Sequence, residues 1–236
     1  MSLSKCVCLP SCSCCRMDLS RLQSFLTSKN VTLVAVSKTH PPQRVQEIYA
    51  AGQRVFGENR PQEMLAKFES LPKDIRWHLI GHLQTNKVKM IAPFVAMIHS
   101  VDSLRLLLEI EKQASACKRV IDCLLQFHIA SEDTKFGLSE AEAQALLDSA
   151  EYRAMQHVRI CGVMGMATFT DDTTLVRHEF RVLKRIFDQL KAQFFPHNEH
   201  FREISMGMSG DWEIAVEEGS TMVRIGSLIF GERKKE

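Results

Sequence analysis

Short apolar segments alternate with helix-like segments along most of this 236-residue chain. The apolar segments are rich in β-branched and aliphatic residues, as buried strands are. Each is followed by a helical periodicity or by a helix-start signal. The eight apolar segments are residues 31–36, 54–57, 77–80, 95–101, 120–129, 158–166, 201–206 and 222–225. Strands that alternate with helices in this way form parallel sheets with right-handed crossovers.

Eight strand–helix units in a chain of this length favour one closed (β/α)8 barrel, the TIM barrel, over an open sheet. An open doubly wound sheet is the alternative. Its dinucleotide-binding form is weakened because no G-x-G-x-x-G turn follows the first strand. An extra helix is predicted before the barrel, starting near Met17 with apolar residues at helical spacing. We therefore expect an α/β barrel domain over residues 17–236.

The first sixteen residues do not fit this pattern. They hold five of the eight cysteines and lack the apolar core of a signal peptide. Their C-x-C pairs could bind a soft metal, but we expect a disordered Cys-rich leader, with Met17 as a candidate start. The remaining cysteines, Cys117, Cys123 and Cys161, are scattered as in proteins of a reducing, cytoplasmic compartment.

Charge and hydropathy exclude several classes of function. The 30 basic and 28 acidic residues give a net charge of +2, and no basic domain indicates nucleic-acid binding. No apolar run reaches the ~20 residues of a membrane helix. Two histidine pairs, 78/82 and 197/200, have metal-like spacing. The first lies on a predicted strand and turn, where such residues do not share a helix face, and the second lies in a polar loop, so we predict no metal site.

Lys38 is the first candidate functional residue. It follows the first apolar segment closely, which places it near the mouth of the barrel, where the active sites of such barrels lie. Partial burial there favours the neutral amine, and a neutral amine condenses with aldehydes. A lysine that simply extends into solvent is the alternative interpretation.

A phosphate site is predicted at the loops after the seventh and eighth strands. Residues 205–211 form a Gly/Ser-rich loop before a helix, and the eighth strand carries Arg224 and ends in Gly226 and Ser227. Barrels frequently bind phosphate at these two loops, where backbone amides are free. Ordinary helix caps are the alternative.

A Schiff-base lysine beside a phosphate site fits either pyridoxal 5′-phosphate (PLP) or a phosphosugar aldolase. An acidic partner would keep the pyridine nitrogen of PLP protonated and strengthen its electron sink. If Arg224 faces the ring instead, its permanent charge disfavours a protonated nitrogen and weakens carbanion stabilisation.

Seven motifs occur in an order that resembles the pyridoxal phosphate homeostasis protein family. They are residues 35–39, 56–59, 77–87, 134–137, 162–166, 205–209 and 223–227. The resemblance runs from about Met17 to Arg233. It implies a single PLP-binding barrel of fold type III, similar to the N-terminal domain of alanine racemase.

The resemblance also implies roles for particular residues. Lys38 matches the lysine that forms the internal aldimine with PLP, and Arg224 matches the arginine facing the pyridine nitrogen. The other matches are the phosphate contacts Ser209, Gly226 and Ser227 and the residues around the cofactor, Asn59, His78 and Met206. His82 departs from the family pattern and receives no role.

The sequence favours a PLP carrier over a racemase. In the racemase that the family resembles, a tyrosine on the opposite cofactor face, supplied with help from a second domain, acts as the second base. This sequence continues only five residues past Gly231, and neither Tyr49 nor Tyr152 lies at a predicted strand end. We therefore expect no catalytic residues in a PLP-binding protein that serves intracellular vitamin B6 homeostasis.

The expected carrier is a monomer that could pass PLP to PLP-dependent apoenzymes. The main alternatives are a weak PLP-dependent racemase or lyase and a Schiff-base phosphosugar aldolase. The aldolase is disfavoured because its lysine more usually lies on a later strand. A module that binds other proteins is a third class, but no helix face shows an obvious docking stripe.

Overall fold

Eight parallel strands close into one barrel in chain order, with the last strand paired to the first. The structure is a computed structural model that describes residues 18–131 and 137–231. The strands are Thr32–Val36 (β1), Val55–Glu58 (β2), Arg76–Leu79 (β3), Met97–Val101 (β4), Ile121–Phe127 (β5), Val158–Gly165 (β6), Glu203–Ser205 (β7) and Met222–Ile225 (β8). The predicted (β/α)8 barrel is confirmed, and the open sheet is wrong.

Helices connect the strands, and one precedes β1, as predicted. They are Leu19–Ser28 (α1), Pro42–Ala50 (α2), Pro61–Ser70 (α3), Val88–Ile91 (α4), Leu104–Ala116 (α5), Glu140–Asp148 (α6), Ala150–Arg153 (α7), Thr173–Phe194 (α8), Trp212–Glu217 (α9) and Ser227–Phe230 (α10). No helix in the described ranges combines the length and the apolar composition that crossing a membrane requires.

Several helices begin at a polar side chain that accepts a hydrogen bond from an otherwise unpaired backbone amide of the first turn. The Ser103 hydroxyl accepts a hydrogen bond from the Leu106 amide and caps α5, because serine is favoured at the first cap position of a helix. Asp18 caps α1, so that helix begins just after Met17. At α6, Glu142 completes a capping box with Ser139, because a side chain three residues after the cap can reach back to the cap amide.

The connection between β3 and β4 departs most from a regular strand–helix unit. The chain instead forms a 3₁₀ turn at Thr85–Lys87 and then the single turn of α4. Pro93 follows closely, and because proline has no N–H to donate to the carbonyl four residues earlier, the helical hydrogen-bond ladder stops there. The predicted Cys-rich leader (1–16) and most of motif 134–137 lie outside the described residues.

Alternation along the strands separates two apolar layers. Residues such as Ile98, Val163 and Val223 belong to the main core, together with buried residues of the helices. Their neighbours face the barrel interior, because successive strand side chains point to opposite faces. The interior cluster consists of Met97, Leu124, Cys161, Met164 and Met222. The same alternation sends His99 and Arg224, each two residues beyond a cluster methionine, into the interior above it.

We predict that Gly162→Ala destabilises the barrel by at least about 3 kcal/mol, the upper end for overpacked sites. A Cβ at Gly162 would lie 1.8 Å from the Glu203 carbonyl oxygen on β7, and the residue has φ +152°. Urea unfolding measures the loss. Gly210→Ala is the control, because no atom lies within 4 Å of a Cβ there; equal losses in both variants would contradict the prediction.

Candidate functional site

A cavity of about 750 Å³ opens where the strands end. Cavities of this size bind small molecules, and the carboxyl ends of barrel strands are where barrel active sites are built. Six of the eight predicted site residues line it, contributed by the loops after β1, β2 and β7 and by the end of β8. They are Lys38, Asn59, Ser209, Arg224, Gly226 and Ser227.

Lys38 stands two residues after β1 ends and is half-buried. The next residue, Thr39, has φ +66°, which is unusual for a residue with a β-branched side chain. Its amide donates a hydrogen bond of 2.6 Å to Glu63 of α3. The turn that carries the Lys38 amine is therefore held to the neighbouring helix.

A buried ion pair supports this turn from the helix side. The Lys67 ammonium donates to the Ser37 carbonyl oxygen at 2.7 Å and to Glu58 at 2.6 Å. It also donates to Glu63 at 2.8 Å, and the Ser37 hydroxyl donates to Glu58 at 2.6 Å. Burial raises the pKa of the Glu58 carboxyl, and Lys67 opposes that rise. These bonds fix the carbonyl group that precedes Lys38.

The turn after β8 lies against the end of β1. A Cβ at Gly226 would be 3.2 Å from the Val36 carbonyl oxygen, so a glycine permits this close approach. The Gly226 amide donates to the Ser209 hydroxyl at 3.2 Å. This bond joins the β7 loop to the β8 turn, and both turns share one cavity with Lys38.

Arg224 is a buried cation in the cavity wall, 4% exposed. Its Nη1 donates to the Ser205 hydroxyl at 2.6 Å and its Nη2 to the Gly165 carbonyl at 3.0 Å. Burial lowers its pKa to about 10, and Asp211 opposes that shift, so it stays charged at neutral pH. No salt bridge joins it to a carboxylate of the described residues.

His78 and Met206 do not line the cavity. Both are buried, and Met206 packs in the main apolar core. The His78 Nδ1 lies 2.9 Å from the His99 Nε2, and the His99 Nδ1 lies 3.0 Å from the Ser205 hydroxyl. His78 is therefore linked to Arg224 through two side chains that the sequence reasoning did not single out.

His40 and Asp211 also line the cavity and were missed as site residues. The His40 ring stacks on Phe230 with the centroids 4.9 Å apart. Its position two residues after Lys38, in a loop at the barrel mouth, was a usable signal. In the described ranges, no three or more His, Cys, Asp or Glu side chains are grouped to hold a metal ion.

The matching family model defines the class of protein. Residues 15–234 match the model of the alanine racemase N-terminal domain. The structure of alanine racemase from Clostridium difficile 630 has the same fold, with a TM-score of 0.64 and 13% identity. That match covers 92% of this chain and 58% of that one.

More similar relatives identify the family within this class. The pyridoxal phosphate homeostasis protein of Aquifex aeolicus is 42% identical over 204 residues, covering 86% of this chain and 87% of the relative. The protein of the same name from Schizosaccharomyces pombe is 35% identical over 95% of this chain and 93% of its own length. This chain belongs to the pyridoxal phosphate homeostasis protein family.

A solved structure of similar length supports this assignment. PipY of Synechococcus elongatus PCC7942, with PLP bound, has a TM-score of 0.79 and 37% identity to this chain. The match covers 90% of this chain and 99% of PipY. The structure of PipY without PLP gives a TM-score of 0.82.

We predict that Lys67→Met lowers the free energy of unfolding at pH 7 by about 3 kcal/mol, because it leaves Glu58 buried without its cation. The pKa of Glu58 in the folded variant then rises further above its unfolded value. The folded state therefore binds a proton more readily than the unfolded state, and stability increases as pH falls. The deficit relative to the wild type should shrink between pH 7 and pH 5.

Urea unfolding at several pH values measures this difference. The matched control is Lys89→Met, because Lys89 is an exposed lysine on α4. A Lys67→Met deficit that stays constant with pH would show that Glu58 is not the group left unpaired.

Proposed function

We propose that this protein binds pyridoxal 5′-phosphate through Lys38 and serves intracellular PLP homeostasis without robust turnover. One observation carries the proposal: the Lys38 amine, the Arg224 guanidinium and a Ser/Gly turn line the same cavity. The names of the family relatives and the PLP bound to PipY support it.

The residues present fit the parts of the cofactor. PLP supplies an aldehyde that bonds to amines and a pyridine ring that stabilises carbanions. Lys38 is the half-buried amine that would hold the aldehyde carbon. The Ser209 and Ser227 hydroxyls are hydrogen-bond donors suited to the phosphate. The Gly226 amide donates to the Ser209 oxygen, which leaves the hydrogen of that hydroxyl for the ligand.

Arg224 would face the pyridine nitrogen. Its two hydrogen bonds to Ser205 and Gly165 use two of five N–H groups, so donors remain for the ring. A fixed cation there disfavours a proton on the nitrogen, which weakens the electron sink. This charge supports retention of the cofactor over catalysis.

The other predicted residues take supporting roles in this proposal. Asn59 lines the cavity and offers a side-chain amide to the ligand. His78 does not contact the ligand in this proposal; it acts on Arg224 indirectly, through its hydrogen bond to His99. Met206 precedes the Gly207–Ser209 segment of the β7 loop and anchors it in the core.

The tyrosines lie away from the cavity wall, which supports a non-enzymatic role. The Tyr49 hydroxyl donates to Asp74 at 2.8 Å. Tyr152 lies on α7, and burial raises its pKa to about 12. His40, which does line the cavity, favours the second candidate function, a weak PLP-dependent racemase or lyase.

We further propose a cytoplasmic monomer that passes PLP to PLP-dependent apoenzymes. Cys117, Cys123 and Cys161 are free thiols, as expected in a reducing compartment. Burial raises the pKa of the Cys123 thiol and brings that of Cys161 to about 12. Thiols that stay protonated are poor nucleophiles, so these two suit a structural role.

We predict that Lys38→Ala abolishes the visible absorbance of bound PLP and its trapping by borohydride, because Lys38 is the only lysine among the described residues that line the cavity. Intact-mass spectrometry after reduction measures the trapped adduct. Lys29→Ala, an exposed lysine at the end of α1, is the control and should trap PLP fully. PLP still trapped in Lys38→Ala would assign the bond to another lysine. A wild-type protein that traps a phosphosugar but not PLP would favour an aldolase.

We predict no α-proton exchange of amino acids when the PLP-loaded protein is incubated in deuterated water, because the Arg224 cation disfavours a protonated pyridine nitrogen and so weakens carbanion stabilisation. Proton NMR of the amino acids measures exchange, with His40→Ala as the matched variant. Exchange by the wild type that is lost in His40→Ala would replace the carrier with a weak enzyme that uses His40 as a base.

A further inference from the structure

Four buried polar side chains form one continuous chain across the barrel interior and end at the cavity. His78 of β3 contacts His99 of β4, which contacts Ser205 of β7, which accepts from Arg224 of β8. The N···N contact is 2.9 Å, and the two contacts to the Ser205 hydroxyl are 3.0 Å and 2.6 Å. None of the four residues is more than 4% exposed.

The hydrogen positions along this chain follow from Arg224. Arginine can only donate, so the Ser205 oxygen accepts its N–H. The Ser205 hydroxyl hydrogen then goes to the His99 Nδ1, and the His99 Nε2–H goes to the His78 Nδ1. The only group left over is the His78 Nε2–H, and that nitrogen has no partner among the described residues.

Reversing the donor and acceptor roles along this chain leaves more buried polar groups unsatisfied. If His99 donated from Nδ1, Ser205 would accept twice and its own hydrogen would have no acceptor within the chain. The His78 Nε2 lone pair would also be unused. Each buried polar group left unsatisfied costs about 1–3 kcal/mol, so the order that starts at Arg224 is favoured.

Both histidines are neutral in this order. Burial lowers the pKa of His78 to about 3, with a further contribution from Arg76. Burial, His78 and then Arg224 lower the pKa of His99 well below its usual range. Arg224 is thus the one charged member of the chain, and the dipoles of Ser205 and His99 are aligned toward it.

We propose that Ser205 and His99 are positioning residues that hold the Arg224 guanidinium so that its remaining N–H groups face the pyridine nitrogen of PLP. The inference rests on the proposed function. Because Gly165 takes one Arg224 N–H and Ser205 another, losing Ser205 would leave only one of these two hydrogen bonds to orient the guanidinium.

The test compares Ser205→Ala with Ser100→Ala. Ser100 is also a fully buried strand serine, next to His99, but its hydroxyl has no partner among the described residues. We expect Ser205→Ala to weaken PLP binding about tenfold, as for the loss of a hydrogen bond to a charged group. It should also shift the pH dependence of the visible absorbance of bound PLP. Ser100→Ala should change neither.

The pH dependence separates positioning from general destabilisation. A looser barrel would weaken binding, whereas a displaced cation changes the charge beside the ring. Equal spectra and affinities in Ser205→Ala and the wild type would overturn the proposal. If the wild type itself binds no PLP, the proposed function fails instead.

A second measurement needs no ligand and no variant. Nitrogen-15 NMR of the histidine side chains in the wild-type protein should show His78 and His99 as neutral Nε2–H tautomers between about pH 5 and pH 8. A neutral Nδ1–H tautomer at His99, or titration of either ring in this range, would overturn the hydrogen-bond order. This measurement tests the proposed hydrogen-bond order even if Ser205→Ala does not fold.

Discussion

The pairing of β8 with β1 is the contact on which the candidate site depends. Val34 pairs with Arg224 and Ala35 with Ile225, so the chain leaves both strands at the same height. That register puts the Lys38 turn beside the Gly226 turn, although the two residues lie near opposite ends of the sequence. In an open sheet the first and last strands would not meet, and the amine and the phosphate-type turn would not share a cavity.

Two buried charge centres flank the end of β1, and they are balanced in different ways. Lys67 and Glu58 neutralise each other on the helix side, where the ammonium also holds the Ser37 carbonyl. Arg224 faces the interior, and its charge is stabilised by hydrogen bonds to the neutral Ser205 hydroxyl and Gly165 carbonyl. Asp211 also favours this charge by electrostatic attraction, without a direct hydrogen bond. The interior therefore carries a positive charge that favours an anionic ligand.

Sequence reasoning identified what depends on local patterns. Strand positions follow from apolar runs, and Lys38, Ser209 and Gly226 follow from the rule that barrel sites lie at strand ends. The His78–His99–Ser205 chain could not be read in this way, because it depends on side chains that meet across the barrel from three strands. A signal existed in His99, a single ring within the apolar segment 95–101. The sequence does not say that its partner lies on β7.

Under the proposed function, the same interior charge favours retention of the ligand over turnover. A cation that attracts a phosphate-bearing ligand also opposes protonation of its ring nitrogen, so tighter binding comes with a weaker electron sink. The buried histidines stay neutral beside this cation, because a proton on His99 would place a second buried positive charge next to Arg224. Under the proposed function, the barrel that this chain shares with the racemase class holds its ligand, and neither Tyr49 nor Tyr152 is among the residues that line the described cavity.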